Sequence, residues 1–463
     1  MPALLLLGHF VFVLICLLVY AVNTHVRAQR RHPSAAIAWV LLIALVPYVG
    51  LPFYLMLGSR KFVRPERHPG KPQQPTVDGT ARAWAIATLE GMGLAGPAPQ
   101  QAVRFHADGQ AAWDELTAAI QSARHWLDIC TYVLANDEIG RQVCDLLEAR
   151  AVAGVRVRLL LDAVGSLRTS RRQIQRLRAA GVEVRWFMPL LHNPMRGRVN
   201  LRNHRKLAIA DGGQLWSGGR NLAAEYFLGT GRTPAWTDLS FSVHGSLAHA
   251  ALDLFDSHWR HTNGPQENSR QVRAVESIEP ALKDEQHLAQ MVPSGPDQAE
   301  DTVYALLLTA IYRARQRVLA VTPYFVPDDN LLTALRLAAR RGVQVELIVP
   351  QRSNHRLADI ARQRALRDLV SAGAQVRLTT GMTHAKAIVV DDALALAGSL
   401  NLDARSLFLN FELMVAFYAA DDIAAVDHWI AATFGGARHY VARPVSLWRD
   451  ILEGLVRWVG FQI

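Results

Sequence analysis

Apolar residues run almost unbroken from Ala3 to Val22, and a second apolar run extends from Ala35 to Leu57, interrupted by Pro47, Gly50 and Pro52. At 1.5 Å per residue each is about one bilayer thickness long, which predicts a hairpin of two membrane helices. Beyond about residue 100 the pattern changes: stretches of helical period alternate with short, β-rich apolar runs, as in an α/β architecture. Ala153-Gly154-Val155-Arg-Val-Arg-Leu-Leu-Leu-Asp162 reads as a helix end, a glycine stop and a buried strand.

The same phrase returns later in the chain. Arg341-Gly342-Val343-Gln-Val-Glu-Leu-Ile-Val-Pro350 repeats it, and Ala180-Gly181-Val182-Glu-Val-Arg185 is matched by Ala372-Gly373-Ala374-Gln-Val-Arg377. Leu127-Asp-Ile-Cys-Thr-Tyr132 parallels Leu319-Ala-Val-Thr-Pro-Tyr324. Self-similarity of this kind marks a duplicated unit. The expected organisation is a membrane hairpin at 1–58, a linker at 59–100 rich in Pro and Gly, a first repeat at 101–265, an interdomain linker at 266–299, a second repeat at 300–440 and an amphipathic helix at 441–463. That last helix has apolar residues at helical spacing opposite charges, which suits either a membrane surface or docking against the second repeat.

Charge refines this picture. The formal net charge is +10, so nucleic acid, anionic lipid and phosphate esters are all compatible partners. The apolar runs favour lipid. No basic segment precedes the first run and a second follows at once, which disfavours a cleaved signal peptide. Arg27, Arg30 and Arg31 lie between the runs, and Arg60, Lys61, Arg64, Arg67 and Lys71 follow the second. That asymmetry leans towards a cytoplasmic catalytic portion, with both termini on that side. Cys16, Cys130 and Cys144 show neither metal-ligand spacing nor a disulfide framework.

The duplicated halves each carry one polar constellation: His204-Arg-Lys206-Leu-Ala-Ile-Ala-Asp211 and His384-Ala-Lys386-Ala-Ile-Val-Val-Asp391, with Asn221 and Asn401 ten residues after each Asp. His and Lys at i and i+2 of an extended segment share a face. A turn at Asp211-Gly212, or at Asp391-Asp392, then returns the chain to bring the Asn beside them. The chain has five lysines against forty-five arginines, and two of the five stand in these motifs, where a compact point charge suits a phosphate oxygen. Displacement at phosphorus needs a nucleophile, a proton donor for the leaving oxygen and positive charge around the equatorial oxygens. One half supplies a single imidazole, whereas two facing halves supply a full set. Metal binding is disfavoured by the ammonium next to each histidine, and no cofactor is expected.

On these paired motifs the sequence resembles the phospholipase D superfamily. Pro47-Tyr-Val-Gly50-Leu-Pro-Phe-Tyr54, Tyr324-Phe-Val-Pro327, Asn401-Leu-Asp403-Ala-Arg405-Ser406 and Asn410-Phe-Glu412 are similar to its bacterial cardiolipin synthase branch. The resemblance implies two phospholipase D-like domains, each a mixed sheet flanked by helices, facing each other. It implies a metal-independent two-step transfer, with His204 as nucleophile and His384 as acid and base. The symmetry of the motifs leaves the reverse assignment open. It implies a carboxylate that orients each histidine, matched by Glu412 in the second half and by Asp238 in the first. Asp211 and Asp391 belong to the motifs and are expected to brace the turns. Asn221, Asn401 and Ser399 are expected at the substrate phosphate; Gly219 stands where a counterpart of Ser399 would be, which predicts an asymmetric phosphate clamp.

The function implied is cardiolipin synthesis, joining two phosphatidylglycerols with release of glycerol, at a bacterial inner membrane with several crossings. A hydrolase releasing phosphatidic acid is the alternative, and a membrane-tethered nuclease a weaker one. No nucleic-acid partner is expected, and the sequence is silent on oligomeric state.

Overall fold

The protein is described here by a computed structural model covering residues 2–26, 33–58, 60–61, 82–189, 199–231, 233–262 and 287–459. One fifteen-stranded mixed sheet runs through its α/β body. From the middle outwards, the first half contributes Ala98–His106, Ser240–Gly245, Gln214–Gly218, Leu207–Ala210, Trp126–Thr131, Arg156–Asp162 and Glu183–Phe187. The second half contributes Leu288–Ser294, Glu412–Phe417, Leu394–Gly398, Ala387–Val390, Arg317–Val321, Gln344–Pro350 and Gln375–Thr379, with Arg438–His439 at the far edge. The two strand orders match position for position, and the halves join where Ala98 and Pro99 pair with Ala289 and Leu288. The strand Leu288–Ser294 thus belongs to the sheet, although it falls in the stretch expected as linker. Residues 62–81 and 263–286 lie outside the described residues.

The phrases repeated in the sequence build equivalent elements. Gly154 and Gly342 have φ of 89°, the left-handed conformation that ends a helix and releases the chain into the next strand. Leu159–Leu161 and Leu347–Val349 are fully buried, because helices or the opposite half cover both sheet faces. Two cores are private to the halves, and two are shared. In one shared core Phe411 and Leu413 pack among Ala248, Leu252 and Phe255 of the helix Ser246–Arg260. In the other, Phe241 and Val243 pack with Val426 and Ile430 of the helix Ala420–Phe434. Each such Phe or Leu withdrawn from water contributes roughly 1.5–3 kcal/mol, so separating the halves is strongly opposed.

The motif hairpins form as expected. Ala210 pairs with Gln214, and Val390 with Leu394. Asp211 and Asp391 both adopt φ of 49° in the turns. Asp211 accepts hydrogen bonds from the backbone N–H groups of Arg124, His125 and Trp126 at 2.8 Å, and Asp391 from those of Arg315, Gln316 and Arg317 at 2.8–2.9 Å. Each motif Asp therefore pins its hairpin to the start of a neighbouring strand.

The amino-terminal region departs from the expected two-helix hairpin. The first run is one helix, α1 (Pro2–Val26), but the second is two, α2 (Pro33–Leu45) and α3 (Pro47–Leu57). Proline cannot donate to the helical ladder, and it drives the preceding residue out of the helical region. Val46 accordingly lies at φ −137°, ψ 64°. After α3, Arg60 and Lys61 clasp Asp301 at 2.6 and 2.9 Å, and Lys61 also donates to the carbonyls of Gly295 and Gln298. The C-terminal helix Leu447–Val459 packs on the helix Arg356–Ser371, with Arg367 bridging Glu453 at 2.6 Å, and leaves Leu447, Trp448 and Ile451 exposed.

Replacing Asp211 by Ala removes the acceptor of three backbone donors and puts a side chain unsuited to φ of 49° in the turn. It is expected to cost about 1–3 kcal/mol of stability. Thermal unfolding should register this as a lowered midpoint. A midpoint equal to the parent's would remove the bracing role.

Candidate active site

Extended segments leading into the strands Leu207–Ala210 and Ala387–Val390 carry the two histidines, and each is stitched to the other half. The His204 N–H donates to the Phe411 carbonyl at 2.9 Å, one residue before Glu412; the His384 N–H donates to the Thr237 carbonyl at 2.7 Å, one residue before Asp238. The side chains follow the backbone. His204 Nδ1 donates to Glu412 Oε2 at 3.0 Å, and His384 Nδ1 donates to Asp238 Oδ2 at 2.7 Å. Each histidine is thus held by the carboxylate of the opposite half, a crossing that sequence order conceals.

The asymmetry at Ser399 has a different meaning from the one expected. Its hydroxyl donates to Glu412 Oε2 at 2.5 Å and accepts from the Leu413 N–H, so it steadies the carboxylate behind His204. At the matching position a Cβ on Gly219 would lie 2.2 Å from Asp238 Oδ1. Asp238 itself fills that space, and its Oδ1 accepts from the Leu239 N–H at 2.8 Å. One carboxylate is supported by a hydroxyl and the other by a backbone amide.

A cavity of about 1010 Å³ opens above both histidines. Its wall includes His204, His384, Asn221 and Asn401. Asn221 Nδ2 donates to the Tyr226 hydroxyl at 2.9 Å and Asn401 Nδ2 to the Ser406 hydroxyl at 3.2 Å, five residues on in each case. Lys206 and Lys386 lie beneath this wall, both nearly fully buried. Lys206 Nζ donates to the His204 carbonyl at 2.5 Å. Lys386 Nζ donates to the His384 carbonyl and sits 2.7 Å from the ring's Nδ1 and 3.1 Å from its Nε2. Nδ1 spends its proton on Asp238, so the ammonium acts on the ring as a nearby charge and as a donor to the Nε2 lone pair. Asp211 and Asp391, in their turns, are not among the cavity residues.

Sequence reasoning gave no role to several other wall residues. Tyr132 stands edge-on to His204 with ring centroids 5.1 Å apart, and Tyr226 edge-on to His384 at 4.9 Å. Tyr324, Trp236, Arg202, Asp403 and Arg405 complete that side of the wall. The signal for two of them was in the repeat: Tyr132 and Tyr324 end the matched phrases Leu127-to-Tyr132 and Leu319-to-Tyr324, just beyond the strands Trp126–Thr131 and Arg317–Val321.

Burial governs the protonation of the site. It lowers the proton affinity of His204, as does Lys206, against the pull of Glu412. Burial and Lys386 bring His384 down to about 3 despite Asp238. Burial raises Asp238, but Lys386, His384 and Arg220 together hold it at about 2. Burial also raises Glu412, yet His204, Lys206 and Ser399 take it below the ordinary carboxylate value. Neutral imidazoles therefore face anionic carboxylates, with Nε2 left as the reactive nitrogen. Lys206 falls to about 7 through burial and repulsion from Lys386, partly opposed by Glu412. Lys386 falls to about 8 through burial, opposed by Asp238 and Glu412. Among the described residues no group of three or more His, Cys, Asp or Glu side chains is arranged to hold a metal ion.

Comparison with known proteins finds matches to both halves of the chain and to its amino-terminal region. The sequence model of the family described as "Cardiolipin synthase, PLD-like domain" matches residues 116–238 and 307–433, and that described as "Phospholipase_D-nuclease N-terminal" matches residues 11–59. Cardiolipin synthase A of Pseudomonas putida (strain W619) is 32% identical over 456 residues, covering 94% of each chain. Cardiolipin synthase of Geobacillus kaustophilus (strain HTA426) is 31% identical, covering 90% of this chain and 86% of its own. The solved structure of phosphatidylserine synthase from Haemophilus influenzae Rd KW20 shares the fold, with a TM-score of 0.62 at 15% identity over 82% of this chain and 100% of that one.

Substituting Gly219 by Ala forces a methyl group into the Asp238 carboxylate. Overpacking at a buried site of this kind costs about 1–3 kcal/mol. A lowered melting temperature, together with an imidazole NMR signal of His384 shifted from the parent's, is the expected pair of results. An unchanged His384 signal would contradict the tight fit.

Proposed function

This chain belongs to the phospholipase D-like cardiolipin synthase family, and on that premise we propose that it is a phosphatidyltransferase that joins two phosphatidylglycerols into cardiolipin. The observation that carries the reading is the pair of neutral imidazoles on one cavity wall, each tied at Nδ1 to a carboxylate. Such a partner fixes the tautomer, so that Nε2 is the nitrogen with a lone pair. In the first step His204 Nε2 attacks the donor phosphorus and the bond to glycerol breaks, with His384 giving glycerol its proton. In the second, the hydroxyl of another phosphatidylglycerol loses its proton to His384 and attacks phosphorus, and the P–N bond breaks. His384 acts as acid in one step and base in the next.

Both imidazoles are neutral in the free enzyme, so the acid form of His384 must arise with substrate. An anionic phosphodiester entering a buried site favours the imidazolium, as any nearby opposite charge does. Lys206 and Lys386 supply the positive charge that the phosphoryl group meets as it moves onto His204 and off again. Asn221, Asn401, Tyr226 and Arg405 are the groups on the wall best suited to hold phosphate and glycerol oxygens. The cavity, at about 1010 Å³, is at the upper end for a drug-sized ligand, which suits a donor headgroup and a second alcohol together.

Membrane association follows from the apolar α1, whose segment Leu6–His25 is long and apolar enough to cross a bilayer. We place the body at the cytoplasmic face of a bacterial inner membrane. Arg60 lies 4.5 Å above the Phe408 ring, at the end of the short helix Ala404–Phe408 that brings Arg405 and Ser406 to the cavity. The anchor thus leaves the membrane beside the site.

Purified protein given phosphatidylglycerol alone should yield cardiolipin and glycerol, and added glycerol should drive the exchange backwards. Phosphatidic acid as the main product, without reversal, would replace the synthase by a hydrolase. Activity should persist after exhaustive chelation, and loss restored by one particular metal would contradict the assignment of charge to side chains.

The lysines set a pH dependence. An ammonium carries charge only below its pKa, so kcat/KM, which reports the free enzyme, should fall as pH rises through about 7 to 8. Lys206→Met should reduce kcat by about 10²-fold, the scale for losing one preorganised donor. A pH profile flat to 9.5, or Lys206→Met activity within threefold of the parent's, would remove the lysines from this role.

A further inference from the structure

The three amino-terminal helices have a direction that their sequence does not reveal. Trp39 on α2 meets Tyr54 on α3 with ring centroids 5.5 Å apart. Nearer the break, a Cβ on Gly50 would lie 2.7 Å from the Leu42 carbonyl oxygen and 2.9 Å from Ile43 Cα. In one continuous helix residues 39 and 54 would stand about 22 Å apart. α2 and α3 therefore fold back on one another about Val46.

α1 fixes the orientation of this fold. Towards its middle, Phe12 stacks on Tyr48 at 4.8 Å and His9 lies 3.3 Å from the Tyr48 hydroxyl. Near its end, Tyr20 packs against Tyr54 at 4.8 Å and Thr24 hydrogen-bonds the Tyr54 hydroxyl at 3.1 Å. α3 thus runs parallel to α1, α2 runs antiparallel, and the chain leaves α3 at the end where α1 finished. The lengths agree. α1, with 25 residues, reaches about 37 Å, whereas α2 and α3, with 13 and 11, reach about 20 and 16 Å against a hydrocarbon core of about 30 Å.

The turn suits a lipid interior. Val46 N–H bonds the Leu42 carbonyl at 3.0 Å, Gly50 N–H bonds the Val46 carbonyl at 2.7 Å, and Pro47 has no N–H to satisfy. Its tip exposes apolar side chains, Leu45, Val46 and Val49.

We infer that α1 is the one crossing in this region and that α2 and α3 form a re-entrant hairpin, which enters and leaves the bilayer on the side of the catalytic body. The amino terminus and the body then lie on opposite faces of the membrane. Charge supports this independently. A two-crossing hairpin would divide the flanking cations, with Arg27, Arg30 and Arg31 on one side and the five from Arg60 to Lys71 on the other. The re-entrant path collects all of them on the body's side, while the first 26 residues hold no Lys or Arg. By the positive-inside rule that side is cytoplasmic.

The inference rests on the membrane reading proposed above, and the experiment separates the two. The full chain carries one epitope at its amino terminus and another after residue 463, and intact spheroplasts are treated with protease. Removal of the amino-terminal epitope alone, with the second cut only after lysis, is the expected result. Identical behaviour of both epitopes would overturn the re-entrant path while the membrane reading stands. Release of the chain from membranes by alkaline carbonate would overturn both.

Discussion

The hydrogen bond from each imidazole to a carboxylate of the opposite half is the interaction on which the rest of the site depends. It makes the two halves one functional unit, because neither contains a complete histidine–carboxylate pair. His204 needs Glu412 and His384 needs Asp238, and the adjoining backbone contacts at Phe411 and Thr237 keep each pair in register. The shared cores beneath, with Phe411 and Leu413 on one side and Phe241 and Val243 on the other, hold the halves close enough for those bonds to form. Arg205 adds a further link: fully buried, it donates to the Glu412 carbonyl at 2.8 Å and to Asp297 at 3.0 Å.

Burying two lysines and two carboxylates is costly unless they compensate one another. Opposite charges are interleaved across the site: Lys386 lowers Asp238, and Glu412 draws Lys206 part of the way back towards its ordinary value. Breaking one pair leaves an uncompensated charge in a dry place, so the arrangement is stable only when complete. The same burial keeps the imidazoles neutral until an anionic phosphodiester arrives. The protonation chemistry is thus linked to substrate entry.

Much of this was legible in the sequence, because duplication writes each constraint twice. The histidines, lysines, turn aspartates and hairpins could be read from spacing, and the glycine stops from their repetition. What spacing could not show was which carboxylate serves which histidine. Glu412 and Asp238 each follow a motif in their own half, and a chain read linearly pairs them locally. Ser399 is expected at the phosphate by resemblance, with Gly219 making the clamp asymmetric, whereas its hydrogen bond to Glu412 becomes visible only once the strand Glu412–Phe417 lies beside the strand Leu394–Gly398. The second apolar run read as one helix because hydropathy counts residues and not direction. Pro47 and Gly50, which interrupt that run, are the residues that turn it back.

The most direct test of crosswise support is the site and amount of phosphohistidine in carboxylate variants given a donor with an activated leaving group. Phosphate on His204, located by peptide mapping after rapid quenching, should disappear in Glu412→Gln and persist in Asp238→Asn. Phosphate on His204 that survives Glu412→Gln and vanishes in Asp238→Asn would contradict the pairing.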